Sequence, residues 1–249
     1  MERYRFRSDN QGIRQALVVL GQGGIIAFPT DTVYGIGCDA FNEAGIDRMY
    51  RLKKRKREKP FVMFLAYKDL LSNYVLKSGV TARAVFDHFE PGALTLIMKA
   101  KRKAPRGLLS SMGTISIRIP EYEFLRKLIS QFGKPLATTS ANIAGTMSPT
   151  RYREMNLHVD LAIKDDSIPC GVASTVLDVS LYPFVLLRKG CVSIFALERF
   201  VSAKIRFDRS ILFNILFVCT GNSCRSPIAE GIVRKLLKAK KYDKIKVSS

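Results

Sequence analysis

The chain has 249 residues, 47% of them hydrophobic, which suffices for one large α/β domain or two small ones around a packed core. Its 41 Lys and Arg against 21 Asp and Glu give a formal charge of +20; this favours nucleotides, RNA or acidic lipid as partners but fits an ordinary basic surface about as well. No apolar run approaches the ~20 residues that cross a bilayer, and no signal peptide opens the chain, so we expect a cytoplasmic protein with no membrane partner.

Short apolar runs rich in β-formers alternate along the chain with stretches of helical periodicity, the order typical of α/β and α+β folds. The apolar runs predict strands at residues 24–28, 61–66, 94–100, 114–119, 136–139, 161–164, 175–179 and 184–188. Apolar residues three and four positions apart predict helices at residues 13–20, 44–52, 81–89 and 122–132. A layered α/β body through about residue 200 follows from this order.

A second segment begins after residue 202. The charged run 204–209 leads into a fresh apolar run at 211–218, which predicts a domain junction. The 39 residues of 211–249 are too few to bury a core without disulfides or metal. We therefore divide the chain into a domain at 1–202 and a fragment at 211–249.

The cysteines give no sign of a covalent framework. They number five and are scattered, and no two of them form a CxxC pair. This spacing suggests neither a disulfide framework nor a zinc site, and we expect no metal held by the protein itself. A reducing cytosol fits such a pattern.

Two segments have the composition of an anion-binding site. The sequence PTDTVYG at 29–35 follows a buried strand, where a loop leaves the sheet, although an ordinary turn has a similar composition. Residues 51–59 carry seven cations among nine residues, and a polyphosphate is a natural guest because Arg offers a bidentate fork and Lys a mobile point charge. A solvated helix end explains Lys56 and Arg57 better than it explains Lys53, Arg55 and Lys59.

Further short blocks follow in order. They are PGALT at 91–95, RIP at 118–120, SAN at 140–142, ST at 174–175 and RKG at 188–190. With the two segments above, their order and spacing resemble the Sua5/YciO/YrdC family, the threonylcarbamoyl-AMP synthases, over about residues 10–195. The resemblance implies a twisted mixed α/β sheet with flanking helices and a large positively charged cavity.

The resemblance also implies a reaction, in which L-threonine, bicarbonate and ATP, with Mg²⁺, give threonylcarbamoyl-AMP and pyrophosphate. Separate transfer machinery then passes the threonylcarbamoyl group to tRNA as t6A, so tRNA or another RNA is an expected partner. By position in the motifs, threonine would be held by Thr32, Arg118 and Ser174. ATP would contact Arg55, Lys59, Thr114, Ser140, Asn142 and Arg188. Lys53 and Arg55 would act by positioning, since no residue offers itself as a general base or covalent nucleophile.

The chain departs from the family pattern at two positions. Lys54 stands where the family usually has Gly, and Phe64 where some members have a His near the threonine. The additional C-terminal domain of the longer members is absent as well. An RNA-binding protein that uses the same cavity without making the adenylate is therefore an open alternative.

The segment ILFVCTGNSCRSP at 215–227 has a strand, a loop with Cys219 and Arg225 six apart, and a proline at the first turn of a helix at 228–237. Loop amides and Arg225 would hold a phosphate and lower the pKa of Cys219, so that its thiolate attacks phosphorus. The pattern resembles low-molecular-weight protein-tyrosine phosphatases and the arsenate reductases of that type, over roughly the first quarter of that domain. The family's aspartate general acid has no counterpart, because Asp243 does not match its loop, so we expect a phosphatase-like fragment that is inactive. Phosphatase or arsenate reductase activity is the remaining alternative.

Overall fold

The computed structural model describes residues 4–166, 168–211, 213–239 and 245–249. The chain divides into two compact units, Met1–Arg206 and Phe207–Ser249. The strands are β1 Tyr4–Arg7, β2 Ile26–Phe28, β3 Gly35–Asp39, β4 Val62–Phe64, β5 Leu94–Lys99, β6 Thr114–Arg118, β7 Leu136–Ser140, β8 Leu161–Lys164, β9 Thr175–Asp178, β10 Val185–Arg188, β11 Arg206–Phe207, β12 Phe213–Leu216 and β13 Ile245–Ser248. The helices are α1 Asn10–Gly21, α2 Glu43–Lys53, α3 Leu71–Tyr74, α4 Val80–Phe89, α5 Glu123–Phe132, α6 Ile194–Val201 and α7 Arg225–Ala239.

One twisted sheet organises the first unit. Its strand order is β1-β8-β2-β3-β7-β4-β6-β5-β9-β10-β11. Parallel pairs such as β4 with β6 stand beside antiparallel pairs such as β3 with β7, so the sheet is mixed. The predicted fold class is confirmed, and each of the eight predicted strands and four predicted helices is present, with shifted ends.

Helices α1 and α5 pack together over one face of this sheet. Ile13 and Leu20 of α1 join Leu128 of α5 in a buried cluster that contacts Phe28 and Phe64 of the sheet. Helix α2 lies on the opposite face, where a Cβ at Gly45 would lie 3.2 Å from the Cys38 sulfur. The sheet is therefore covered on both faces, as its buried apolar strands require.

Strand β3 was not predicted, because its sequence GIGCD reads as a glycine-rich turn. All five residues are buried, and the strand pairs with β2 and β7. A Cβ at Gly37 would come within 2.9 Å of the Ala137 carbonyl oxygen and 3.2 Å of the Phe28 ring. Glycine is used here because the neighbouring strand and ring leave no room for a side chain.

The expectation of unpaired cysteines is wrong for one pair. Cys170 and Cys191 form a disulfide, with Cα atoms 6.5 Å apart. Cys38, Cys219 and Cys224 are free.

The second unit contains β12, α7 and β13. The two strands pair in parallel, with Phe213 opposite Ile245 and Leu216 opposite Ser248. Helix α7 begins at Arg225, so Pro227 lies in its first turn, as predicted. No helix in the described part of the chain is long and apolar enough to cross a membrane.

Candidate active site

A cavity of about 590 Å³, including its open mouth, lies on the sheet face that carries Phe28 and Phe64. It gathers residues from strands and loops that are distant in the sequence. Its polar lining consists of Thr30, Thr32, Arg55, Thr95, Arg118, Thr138, Thr139, Ser140, Ser174 and Arg188. Three arginines and seven Ser or Thr residues therefore line one space, which suits an anionic ligand with several oxygens.

Arg118, at the end of β6, is buried and held in one orientation. Its Nε donates to the Gly92 carbonyl at 2.7 Å, one terminal nitrogen donates to the Thr32 hydroxyl at 2.9 Å, and the other donates to the Asp31 carboxylate at 2.6 Å. The ring of Phe64 lies 5.5 Å from the guanidinium carbon. A guanidinium has five N–H groups, so each terminal nitrogen keeps one further donor for a ligand carboxylate.

Arg188, at the end of β10, reaches the same space from another strand. Its Nε donates to the Ser174 carbonyl at 2.9 Å and a terminal nitrogen donates to the Ser174 hydroxyl at 3.0 Å. That hydroxyl also shares a 2.8 Å hydrogen bond with Thr95. Burial of the guanidinium, and then repulsion from Arg118 and Arg55, lowers the pKa of Arg188 to about 10, so it remains cationic at neutral pH.

Arg55, just after α2, is the third guanidinium. It donates to the carbonyls of Lys59 and Pro60, and it stacks 5.4 Å from the centre of the Phe61 ring. Burial lowers its pKa. The carboxylate of Asp31 neutralises one of the three cations, so the cavity keeps a net positive charge.

A second cavity, of about 700 Å³ with its mouth, shares Arg55 and Ser140 with the first. Its other lining residues are Lys53, Lys54, Lys56, Lys59, Asn142, Ala144 and Gly145. The two cavities together give a ligand longer than one amino acid a continuous cationic path.

Lys53 supports this second cavity from beneath. It is 1% exposed, and its ammonium donates to the carbonyls of Ser140 and of Asn142, the latter at 2.6 Å. Burial, with a smaller contribution from Arg55, lowers its pKa to about 7, while the two carbonyl acceptors favour the charged form. Lys53 thereby ties the end of α2 to the loop that carries two predicted ATP contacts.

The structure brings together most of the residues that the sequence predicted. Nine of them line the two cavities: Thr32, Lys53, Arg55, Lys59, Arg118, Ser140, Asn142, Ser174 and Arg188. Thr114 does not line either cavity; it lies at the opposite end of β6 from Arg118, and its hydroxyl shares a 2.7 Å hydrogen bond with Ser110.

Sequence reasoning did not assign Asp31 or Thr95 to the site. Asp31 forms the buried ion pair with Arg118, and Thr95 bonds the Ser174 hydroxyl. The sequence signal for Asp31 was its position between two threonines after a buried strand. A carboxylate that is buried there needs a cation as its partner.

The two departures from the family pattern have structural consequences. Lys54 caps α2 in the left-handed conformation, with φ 50° and ψ 41°, which glycine adopts without strain. Phe64 lines the first cavity and places its ring against Arg118, so an apolar surface stands where an imidazole was the family alternative.

The loop before α7 surrounds Cys219 with polar groups. The Ser226 hydroxyl, and then the backbone amides of Ser226, Gly221 and Asn222, favour the thiolate and lower the pKa of Cys219 to about 7. Arg225 begins α7. Asp243, the residue weighed as a general acid, lies outside the described residues.

Comparison with known proteins gives two family matches. The Sua5/YciO/YrdC model, described as telomere recombination, matches residues 18–190, and the low molecular weight phosphotyrosine protein phosphatase model matches residues 214–249. A threonylcarbamoyl-AMP synthase of Pyrococcus abyssi is 31% identical over 211 residues, which cover 83% of this chain and 62% of that protein. A threonylcarbamoyl-AMP synthase of Mus musculus is 32% identical over 191 residues, which cover 73% of this chain and 68% of that protein.

A solved structure, P. abyssi Sua5 complexed with L-threonine, superposes with a TM-score of 0.77 at 26% identity, covering 96% of this chain and 78% of that one. In the sequence alignment, the chain spans 62% of the P. abyssi synthase, which is less than two thirds of its length. The fold, the charged cavity and the match over 18–190 agree, and the chain belongs to the Sua5/YciO/YrdC family.

Proposed function

We propose that this protein is an L-threonylcarbamoyladenylate synthase. The observation that carries the proposal is the convergence of Arg55, Arg118 and Arg188 on one hydroxyl-lined cavity, with Asp31 paired to Arg118. Carbamate and triphosphate are both anions, so their approach requires cations fixed in advance. The relatives that are named threonylcarbamoyl-AMP synthase support the same conclusion.

Threonine takes the first cavity. Its carboxylate pairs with the two free N–H groups of Arg118, and its polar groups meet the hydroxyls of Thr32 and Ser174. The amine combines with bicarbonate, losing water, to give a carbamate. Because Arg118 is clamped by Asp31 and by the Gly92 carbonyl, the carboxylate is bound without reordering the protein.

ATP extends from the first cavity into the second. Arg55, Lys59, Arg188, Ser140 and Asn142 contact it, and Lys53 positions the loop that carries the last two. A carbamate oxygen attacks the α-phosphorus, the bond from that phosphorus to the bridging oxygen breaks, and pyrophosphate leaves with the electron pair. The guanidinium groups stabilise the charge that develops on the leaving group.

Mg²⁺ fits this site as a companion of ATP. Among the described residues, no three His, Cys, Asp or Glu side chains group together as metal ligands, and Asp31 is already paired with Arg118. Phosphate oxygens and water are the usual ligands of such an ion, whose chemistry is to offset charge on the triphosphate.

The product is a mixed anhydride that a tRNA-modifying transfer machinery would consume, so tRNA or another RNA is a proposed partner and the cytoplasm the proposed location. We propose that residues 1–202 carry the activity as one domain and that residues 211–249 form a separate phosphatase-like segment.

The test is pyrophosphate release by the purified chain with ATP, Mg²⁺ and bicarbonate, with and without L-threonine. We expect release to depend on threonine and to fall at least about 10²-fold in Arg55→Ala, since one lost transition-state donor costs that much. Arg57→Ala is the matched control, because Arg57 is exposed and pairs with Asp47.

Each alternative has its own result. Suppose that the protein is folded and binds ATP but that pyrophosphate release does not depend on threonine. If Arg55→Ala then lowers only a salt-sensitive affinity for RNA, the RNA-binding alternative is favoured. Turnover of p-nitrophenyl phosphate that Cys219→Ser abolishes would show that the C-terminal fragment is a phosphatase.

A further inference from the structure

A basic loop joins β5 to β6 on the α2 side of the sheet. Residues 99–106 contain five cations and no acid. Lys101 donates its ammonium to the Ser72 carbonyl at 2.6 Å, whereas Arg102, Lys103 and Arg106 are exposed and have no ion pair within the described residues. Three unpaired cations on one short loop repel one another unless an anion is present.

This loop is a folded turn, which keeps its cations in place. Ala104 is 4% exposed, and its N–H donates to the Lys101 carbonyl at 3.0 Å. Gly107 lies against α2, where an added Cβ would come within 2.9 Å of the Ile46 side chain. The cations therefore project from a fixed backbone beside the helix.

An exposed aromatic ring stands next to them. Phe41, which is 47% exposed, lines a groove of about 560 Å³ together with the loop residues from Arg102 to Gly107. Its ring lies 6.3 Å from that of Tyr74, whose carbonyl accepts from the Lys101 N–H at 2.7 Å. Glu43 is the single acid in the lining.

We propose that this groove binds a single-stranded segment of RNA, with a base stacked on Phe41 and phosphates on Arg102, Lys103 and Arg106. Aromatic stacking beside a cationic track is how single strands are held without regard to sequence. A ring that lines a groove fits a nucleic-acid strand better than it fits a flat lipid surface. The choice of RNA over DNA rests on the proposed function, because the product of that reaction is used to modify tRNA. The inference that the groove binds a single strand does not depend on the proposed function.

The test uses the full chain and a labelled 12-nucleotide oligouridylate, with binding followed by fluorescence anisotropy at several salt concentrations. Replacing Arg102, Lys103 and Arg106 by Ala should reduce the slope of log affinity against log salt by about 2, since each phosphate contact on a single strand contributes about 0.7. Phe41→Ala should weaken binding at least about fivefold with the slope unchanged. Phe41→Tyr, which keeps the ring, should restore affinity.

Arg14→Ala is the matched control, because Arg14 is exposed on α1, across the sheet from this groove. Threonine-dependent pyrophosphate release should be the same in every variant, which shows that each is folded and separates this proposal from the proposed function. Unchanged affinity in both Phe41→Ala and the triple variant would overturn the proposal. The proposal would also be overturned if these variants lost binding to phosphatidylserine vesicles as strongly as they lost binding to RNA. Tighter binding of oligothymidylate than of oligouridylate would overturn it as well.

Discussion

Replacing Asp31 by Asn tests how the cavity holds its cations. The Asp31 carboxylate lies 2.6 Å from Arg118, and the two side chains are 8% and 3% exposed. Removing one partner of a buried ion pair costs about 3–5 kcal/mol, and Asn keeps an oxygen acceptor, so we expect about 3 kcal/mol. For a protein of this size, that loss lowers the melting temperature by about 6–12 °C. Asp47→Asn, which breaks the exposed pair with Arg57, should cost at most about 1 kcal/mol.

Bound threonine should partly restore the stability of the Asp31→Asn variant. If Arg118 receives the threonine carboxylate, the ligand supplies the negative charge that Asp31→Asn removed. A tenfold tighter dissociation constant adds about 1.4 kcal/mol of ligand stabilisation at saturating threonine. The assay is thermal unfolding of both proteins over a threonine titration. A variant that melts within 2 °C of the wild type, or that gains less from threonine than the wild type, would refute this account of Arg118.

Three further outcomes are expected. Lys54→Gly should raise the free energy of unfolding by about 0.5–1 kcal/mol in urea titrations, because Gly relieves the left-handed φ of 50°, whereas Lys56→Gly should not. Cys191→Ser should lower stability by about 3 kcal/mol and match the reduced wild type, since its disulfide closes a 21-residue separation. Alkylation of Cys219 by iodoacetamide, followed by mass spectrometry, should accelerate through about pH 7 and level off above it, because the thiolate is the reactive form; Ser226→Ala should move the midpoint upward.

The sheet was largely predictable because its strands are apolar runs of ordinary β-formers. Strand β3 was not, since GIGCD has the local composition of a turn and is a strand only because β2 and β7 pair with it on both sides. The disulfide was missed for a related reason. Cys170 and Cys191 meet because the loops before β9 and after β10 are neighbours, which spacing along the sequence does not reveal.

Most site residues were predicted from short sequence blocks whose order resembles that of a family. The role of each such residue was assigned from its position in those blocks. What the blocks could not show is which groups touch. The hydrogen bond between Thr95 and Ser174 joins residues 79 positions apart, and the ion pair of Asp31 with Arg118 joins residues 87 apart. Thr114 is the converse case: its strand, β6, is in place, but the hydroxyl bonds Ser110 and lines neither cavity.

The charge of +20 is used in two different ways. In the cavity, every guanidinium is oriented by carbonyls, hydroxyls or rings, as Arg55 is by the Lys59 carbonyl and Phe61, so that a small anion meets donors already in place. On the loop beside α2, Arg102 and Lys103 are unpaired and solvated, which suits a long polyanion whose phosphates can shift among them. Salt should therefore weaken anion binding strongly in the groove and only slightly in the cavity, because screening acts on exposed charges far more than on buried ones.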